Sequence, residues 1–414
     1  MKSKSLTIFV ACITACAFLS ACGDAKASSD KDDNEIQQLL DKTQETSDDT
    51  KAEASEKKSA PKKKKQKSEK VEKDEKNIPL PEFCISTQMG SNDTYDQIYI
   101  DNTNGGNPEL SRELDKLNSD IAAGQESERS IYVRRADRQV FSVACEYREN
   151  GEVKTRGRSY LMESGKELEL SDIVDVEKAF YDLLARELSA VVTIKMRAYT
   201  GDYNMEPVDS SSDMKYRIDR GEYGWVLDPQ GVTFWFDSIN AFLSNVTVTV
   251  LFADDTDGTV FNKDFVSNAP DEWIMQIPGN YSQTCFDRED DGMTDTISWT
   301  LSEIEDNEGN QYPSGIDVCI NGRNYLSSEI IESYGGGFYG TMAMLVHKDK
   351  QTYFMTYYTE EAEPNFVTLS LSDDTVKPAD AEYVYIGRDG DGKYVPTDLS
   401  AIRVYSDHGG DEMT

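Results

Sequence analysis

GVTFWFDSINAFLSNVTVTV, residues 231–250, contains two apolar runs joined by a more polar segment, and it indicates the fold more clearly than any other stretch. Residues 232–236 form the first run, and Val246, Val248 and Val250 alternate with threonine in the second. β-Branched and aromatic residues are enriched in strands, and a two-residue period is typical of strands that bury one face. The sequence therefore predicts two strands here.

Helix patterns precede these strands. Asn-Pro-Glu at 107–109 predicts a helix start, because Asn caps a helix and Pro suits its first position. One apolar face follows at spacings of four, three and four residues: Leu110, Leu114, Leu117 and Ile121. A longer helix is predicted from about Asp175, and residues 141–147 alternate as a strand. This mixture predicts an α+β domain over residues 79–265, an antiparallel sheet with packed helices.

Residues 266–414 show mainly strand patterns and predict a second, mainly β domain. Asn321-Gly322 lies between two short apolar runs, and Asn-Gly favours the tight type I′ turn of a hairpin. A second hairpin is predicted around the polar stretch 347–352. The predicted strands are 316–320, 323–326, 343–346, 353–358, 366–371 and 383–386.

The stretch CFDREDDGMTDTISW, residues 285–299, has five carboxylates within nine residues. Oxygen donors at alternating positions, with glycine at the sixth, are typical of loops that bind a hard divalent cation. The candidate ligands are Asp287, Glu289, Asp291, Met293 through its backbone, and Asp295. Ser298 replaces the glutamate that closes an EF-hand. The pattern predicts a calcium loop that leads into a strand; the alternative is an acidic turn that stays solvated.

Four cysteines follow the N-terminal segment: Cys84, Cys145, Cys285 and Cys319. An even number in an exported chain predicts disulfides. The wide gap in the middle favours pairing within each half, Cys84 with Cys145 and Cys285 with Cys319. Other pairings, or four thiols, remain open.

The N-terminus has the layout of a secretory signal: two lysines, then a mostly apolar run from Leu6 to Leu19. That run is shorter than the roughly 20 residues that span a bilayer. Leu-Ser-Ala-Cys at 19–22 resembles the lipobox of bacterial lipoproteins. This predicts a signal peptide over residues 1–21 and a lipid on Cys22, which anchors the chain to the outer face of the bacterial cytoplasmic membrane.

Residues 22–78 predict a disordered, charged linker, since they are rich in Ser, Asp, Glu and Lys. The charge is distributed unevenly along the chain. Residues 1–78 contain 16 of the 43 Lys and Arg residues and 15 of the 77 Asp and Glu residues, so they are nearly neutral. Residues 79–414 therefore have a net charge of −35. Such an acidic segment repels nucleic acid. The negative charge favours binding to cations or to basic proteins; alternatively, it only keeps the protein soluble.

Four stretches resemble the extracellular domain of RsiV-type anti-sigma factors. They are RELDKLNSDI (112–121), YVRRADRQVFSVACEY (132–147), RSYLMESGKELELSDIV (158–174) and WVLDPQGVTFWFDSINAFLSNVTVTVLF (225–252). The resemblance covers about 180 residues and contains no catalytic motif. It implies an α+β fold and a lysozyme-binding role. The sigma-factor role is not expected on a lipid anchor.

Together these features predict a non-catalytic binding or sensing module for lysozyme, another basic protein or a cell-wall polymer. The alternatives are a calcium-stabilised structural or adhesion-type surface protein and a peptidoglycan-acting hydrolase. An enzyme is not expected. His347 and His408 are the two histidines of the chain, and neither lies in a catalytic motif.

Overall fold

The computed structural model of the protein describes part of the chain. The described residues are 82–89, 94–101, 107–123, 128–149, 151–239, 243–278, 283–305, 311–326, 343–360, 363–372, 375–379, 386–388, 394–396 and 406–408. The predicted signal peptide, the linker and Cys22 lie outside them.

Strands dominate the regular structure of the described residues. They are β1 Glu82–Met89, β2 Thr94–Asp101, β3 Glu128–Ala136, β4 Val140–Glu149, β5 Glu152–Leu161, β6 Tyr223–Leu227, β7 Gly231–Ile239, β8 Leu243–Leu251, β9 Trp273–Ile277, β10 Thr284–Phe286, β11 Asp295–Glu305, β12 Gln311–Ile320, β13 Arg323–Leu326, β14 Ala343–Lys348, β15 Gln351–Glu360, β16 Glu363–Ser372, β17 Thr375–Pro378, β18 Ile386–Arg388, β19 Tyr394–Pro396 and β20 Ser406–His408. The helices are α1 Pro108–Ala123, α2 Leu170–Ile173, α3 Glu177–Thr200, α4 Ser211–Arg220 and α5 Lys263–Ser267. The fold is therefore mixed α+β and mainly β, which agrees with the predicted fold class.

The two long helices form where their apolar periodicity placed them. Before α1, Asn107 Oδ1 accepts a hydrogen bond from the Leu110 amide (3.0 Å), as expected of a helix cap. α3 ends at Gly201, whose φ of 69° lies in the left-handed region that terminates helices. Local sequence signals thus determine both helices.

The strands form five sheets among the described residues. A six-stranded sheet has the order β20-β1-β2-β3-β4-β5, and a three-stranded sheet has the order β6-β7-β8. A five-stranded sheet, β17-β16-β15-β14-β9, is called the middle sheet below. A four-stranded sheet follows the order β10-β11-β12-β13, and β18 pairs with β19.

The middle sheet is buried on both faces. Alternate residues of a strand point to opposite faces. One face joins a core with α1 and the six-stranded sheet, through Ile274, Met344, Val346, Tyr353 and Met355. The other face joins a core with the four-stranded sheet, through Trp273, Met275, Ile277, Leu345 and Phe354. The three sheets are therefore stacked in layers.

A second core lies between α3 and the three-stranded sheet. Its buried members include Phe180, Leu184, Leu188, Phe234, Phe236, Val246 and Val248. The predicted strands at 232–236 and 246–250 are β7 and β8, which pair antiparallel. Burying a side chain of this size contributes about 1.5–3 kcal/mol, so this cluster stabilises the region that carries α3.

Two glycines let β5 and β6 approach closely. A Cβ on Gly157 would lie 2.2 Å from the Trp225 carbonyl oxygen, and one on Gly224 would lie 2.5 Å from that of Thr155. Any larger residue would push the strands apart. Ser159 Oγ, which accepts a hydrogen bond from the Leu227 amide (2.9 Å), links the same two strands.

The predicted hairpins form, one of them with a shorter turn than expected. Asn321 and Gly322 have φ values of 50° and 79°, which fits a type I′ turn between β12 and β13. Asp349 and Lys350, with φ values of 51° and 62°, form the whole turn of the other hairpin. Because this turn has only two residues, β14 continues to Lys348 and does not end at residue 346. The predicted strand at 383–386 falls mostly outside the described residues.

The predicted domain boundary near residue 266 lies inside one compact unit, Ile78–Thr414. The middle sheet follows that boundary in the sequence, yet it shares a core with α1 and the six-stranded sheet, which precede it. The boundary stays a prediction, but the segments on its two sides pack together.

Candidate functional site: the acidic loop

The acidic loop, residues 287–295, is the turn between β10 and β11. The two strands pair antiparallel, with Phe286 opposite Asp295. Asp290 and Gly292 have φ values of 55° and 81°. Glycine adopts this left-handed conformation freely, whereas Asp does so at a cost. The loop therefore has a defined, tight conformation.

Asp287 organises the loop from inside. Its side chain is buried, with 5% exposure. Oδ1 accepts hydrogen bonds from the amides of Glu289 and Asp291 (both 3.2 Å), and Oδ2 accepts one from Gly292 (2.7 Å). Burial raises the pKa of Asp287, and these backbone hydrogen bonds oppose that shift. This carboxylate thus serves as a local backbone acceptor.

Arg288 contacts two acidic groups of the loop and offsets part of their charge. Its buried guanidinium contacts Glu289 (2.7 Å) and Asp295 (3.6 Å). Asp295 also accepts hydrogen bonds from the Arg288 amide (3.2 Å) and from Asn321 Nδ2 (2.6 Å). The repulsion expected from the sequence is therefore relieved largely by donors of the protein itself.

His347 connects the loop to the middle sheet. It lies on β14, is 1% exposed and stacks on Trp273 at 5.3 Å between ring centroids. Its Nδ1 lies 2.9 Å from Thr352 Oγ1, and its Nε2 lies 3.2 Å from Asp290 Oδ2. Thr352 Oγ1 also donates to the Arg288 carbonyl (2.9 Å). The sequence predicted a polar stretch between strands here; the prediction was wrong because the two-residue turn leaves His347 within β14.

A buried polar network lies behind the loop. Gln230 forms two hydrogen bonds with the backbone of Asp287, at 3.0 and 2.7 Å. Nearby, Arg134 binds both carboxylate oxygens of Asp228 through Nε (3.0 Å) and Nη2 (2.6 Å), and Thr233 Oγ1 donates to the same carboxylate (2.5 Å). Sequence reasoning missed this network, since its members are distant in the chain and no local pattern links them.

The five predicted calcium ligands lie in one loop, but their carboxylates do not share a centre. Asp287 faces the loop backbone, and Glu289 and Asp295 face Arg288. Asp291 is exposed and accepts a hydrogen bond from the Met293 amide (2.8 Å). Among the described residues, no group of three or more His, Cys, Asp or Glu is arranged to hold a metal ion. Calcium binding stays a prediction.

The predicted disulfide between Cys285 and Cys319 is wrong. No disulfide joins them. Cys285 lies on β10 and Cys319 on β12, with β11 between them. Strands are about 4.8 Å apart, so the two Cα atoms are beyond the roughly 7 Å that a disulfide spans. Cys285 is buried, its Sγ lies 3.3 Å from the Thr247 carbonyl, and burial raises the pKa of its thiol to about 12.

The predicted pair Cys84 and Cys145 meets the same obstacle. Cys84 lies on β1 and Cys145 on β4, and β2 and β3 separate these strands. The side chain of Cys84 falls outside the described part of the structure. The strand order does not support this pairing.

None of the described helices combines the length and the hydropathy that a bilayer-spanning segment needs.

Comparisons with known proteins include a distant structural similarity. No family model matches the chain, and no curated protein matches it. A solved structure of a DUF3298 family protein from Pseudomonas aeruginosa PAO1 is similar over 45% of this chain and 96% of its own, at 12% sequence identity and a TM-score of 0.28. At that TM-score the similarity assigns this chain to no family.

Proposed function

We propose that the protein is a lipid-anchored, non-catalytic binding module on the outer face of a bacterial cytoplasmic membrane. Its partner is a basic protein such as lysozyme, or a cell-wall component. The observation that carries this proposal is the net charge of −35 over residues 79–414. A negative surface raises the encounter rate with a positive partner and disfavours acidic ones.

The placement of His347 supports the non-catalytic part of the proposal. His347 is buried, and both of its ring nitrogens contact other side chains of the protein. A general base must reach the proton that it removes, so His347 is badly placed to act on an external substrate. Asp291 and Asp290 face solvent, where they add to the negative field.

The lipid anchor is proposed from Leu-Ser-Ala-Cys at residues 19–22. Anchoring at Cys22 through the 22–78 linker would hold the acidic part of the chain outside the membrane, where basic wall-degrading enzymes act.

A pull-down with lysozyme tests the proposal. The full-length chain is immobilised and exposed to lysozyme at low and at high salt. Retention at low salt that weakens at high salt is expected, because salt screens charge attraction. No retention at low salt would remove lysozyme as the partner.

A calcium-stabilised structural role is the second candidate. It is supported by the spacing of the acidic residues at 287–295 and by the exposure of Asp291, whereas Glu289 pairs with Arg288 and would have to leave it to bind calcium. Calcium at ten times its Kd would stabilise the folded protein by about 1.4 kcal/mol. Melting temperatures with calcium and with EDTA measure this, and magnesium serves as the control ion. Equal values in calcium and EDTA would argue against the site.

A further inference from the structure

The segment between α3 and α4, residues 201–210, is called the contact loop. It leaves the C-terminal end of α3 at Gly201 and runs back along that helix to the start of α4. Three side chains of α3, each four residues after the last, hold it in place. They are Ser189, Thr193 and Arg197.

Each of these side chains bonds to the backbone of the contact loop. Ser189 Oγ accepts a hydrogen bond from the Ser210 amide (3.0 Å), and Thr193 Oγ1 accepts one from Val208 (2.9 Å). Arg197 donates two to the Met205 carbonyl, at 3.1 and 2.7 Å. Residues four apart lie on one face of a helix, so the loop is attached over two helical turns.

The hydroxyl protons are satisfied as well. Ser189 Oγ donates to the Ala185 carbonyl (2.7 Å), and Thr193 Oγ1 donates to that of Ser189 (2.6 Å). Each hydroxyl therefore donates to its own helix and accepts from the loop. The loop adds one such bond of its own, since Asp202 Oδ1 accepts a hydrogen bond from the Asn204 amide (3.1 Å).

Several side chains of the contact loop remain exposed, although Val208 packs against the core beside α3 and Ser210 is buried. Tyr203 is 73% exposed, the highest value among the large apolar side chains of the described residues. Asp202, Glu206 and Asp209 are also exposed. Within the described part of the chain, no basic side chain forms an ion pair with these three carboxylates. Hydrogen bonds from Ser211 lower the pKa of Asp209, which keeps that carboxylate ionised.

We infer that the contact loop is a docking surface for a cationic protein, with Tyr203 as its anchor and Asp202 and Glu206 as its charged rim. This inference rests on the proposed function and names the surface that performs it. Tyrosine gives a large contact area for a small loss of conformational freedom, and it is enriched at binding hot spots. A loop already held in one conformation loses less entropy when it binds.

Charge complementarity selects the class of partner. The rim carboxylates are not neutralised by the chain, so a lysine- or arginine-rich surface gains from covering them. In the acidic loop, by contrast, Arg288 already contacts Glu289 and His347 contacts Asp290.

Substitution of the anchor tests the inference. The full-length chain and its Tyr203→Ala variant are titrated with hen lysozyme as the cationic probe at low salt. Tyr216→Ala is the matched control, because Tyr216 is 52% exposed on α4 but contacts two cations, Arg217 and Arg220. Tyr203→Ala is expected to weaken binding at least about tenfold, as at a hot spot, and Tyr216→Ala less than about twofold.

A second variant tests whether binding depends on the conformation of the contact loop as well as on its exposed side chains. Thr193→Val keeps the shape of the side chain and removes the bond to Val208. It is expected to weaken lysozyme binding several-fold, although residue 193 is buried and lies beneath the loop.

The outcomes are distinguishable. Lysozyme binding that Tyr203→Ala leaves unchanged would overturn the inference and leave the proposed function intact. A wild-type chain that does not bind lysozyme at low salt would overturn the inference and would remove lysozyme as the partner in the proposed function.

Discussion

The acidic loop and the contact loop are both acidic turns, yet their backbones are held in place by different groups. In the acidic loop, Asp287 binds the loop's own amides, and Arg288 pairs with the neighbouring acids. In the contact loop, helix side chains hold the backbone, and Asp202 and Glu206 face outward. The number of acidic residues in a turn therefore does not determine its role. Their local partners do.

This comparison predicts that substitutions in and behind the acidic loop lower the stability of the protein. Substitutions in the contact loop are expected to weaken binding instead. The largest effect is expected at the buried pair behind the acidic loop. Arg134→Ala leaves Asp228 buried without its partner, and this should lower the free energy of unfolding by about 3–5 kcal/mol. Urea denaturation measures the change.

The double variant Arg134→Met with Asp228→Leu is the control for that prediction. It removes both charges, so it should cost less than Arg134→Ala alone. A single variant as stable as the wild type would show that the pair does not support the region of the acidic loop.

The next effect is expected within the acidic loop. Asp287→Ala removes the acceptor of three backbone amides and should destabilise the protein by about 1–3 kcal/mol. Asp291→Asn, at an exposed position, should change stability by less than about 0.5 kcal/mol. Equal losses from the two substitutions would contradict the organising role of Asp287.

The stability of the protein is expected to depend on pH through Cys285, which is buried on β10, the strand before the acidic loop. The thiol has a folded pKa of about 12, raised from 9.0 by burial. A raised pKa contributes stability below pH 9 that is lost as the pH rises toward 12, because the unfolded thiol ionises first. Stability should fall by about 1.4 kcal/mol between pH 8 and pH 10.

Cys285→Ala provides the comparison for this pH effect. Its own stability differs from that of the wild type, so the slopes are compared instead of the absolute values. The variant should show a shallower decline above pH 9, and an identical slope would exclude a contribution from this thiol.

The smallest stability effect is expected in the contact loop. Tyr203 is mostly exposed, so Tyr203→Ala should change the free energy of unfolding by less than about 0.5 kcal/mol. Thermal denaturation beside the wild type tests this. A larger loss would mean that Tyr203 packs against the fold and is not held ready for a partner.

Sequence patterns predicted the elements that depend on local signals. Asn107, Pro108 and the leucines of α1 identify that helix, and Asn321-Gly322 identifies the turn between β12 and β13. These features succeed because neighbouring residues determine helix caps, helical faces and tight turns.

Features that depend on distant residues were not predicted. The disulfide between Cys285 and Cys319 was wrong because the order of strands in a sheet is not visible from spacing. Arg134 and Asp228 pair across 94 residues, and the bonds from α3 to the contact loop require a turn whose path the sequence does not show. Single-sequence patterns detect local periodicity and leave such contacts unresolved.

The most direct test of the claim that the contact loop binds the partner neutralises two exposed carboxylates in each loop in turn. The affinity of lysozyme is measured across a range of salt concentrations for three full-length chains: the wild type, Asp202→Asn with Glu206→Gln, and Glu289→Gln with Asp291→Asn. The contact-loop variant should bind more weakly and with a flatter salt dependence, while the acidic-loop variant should match the wild type. Equal losses in both variants, or a loss only in the acidic-loop variant, would contradict the assignment of binding to the contact loop.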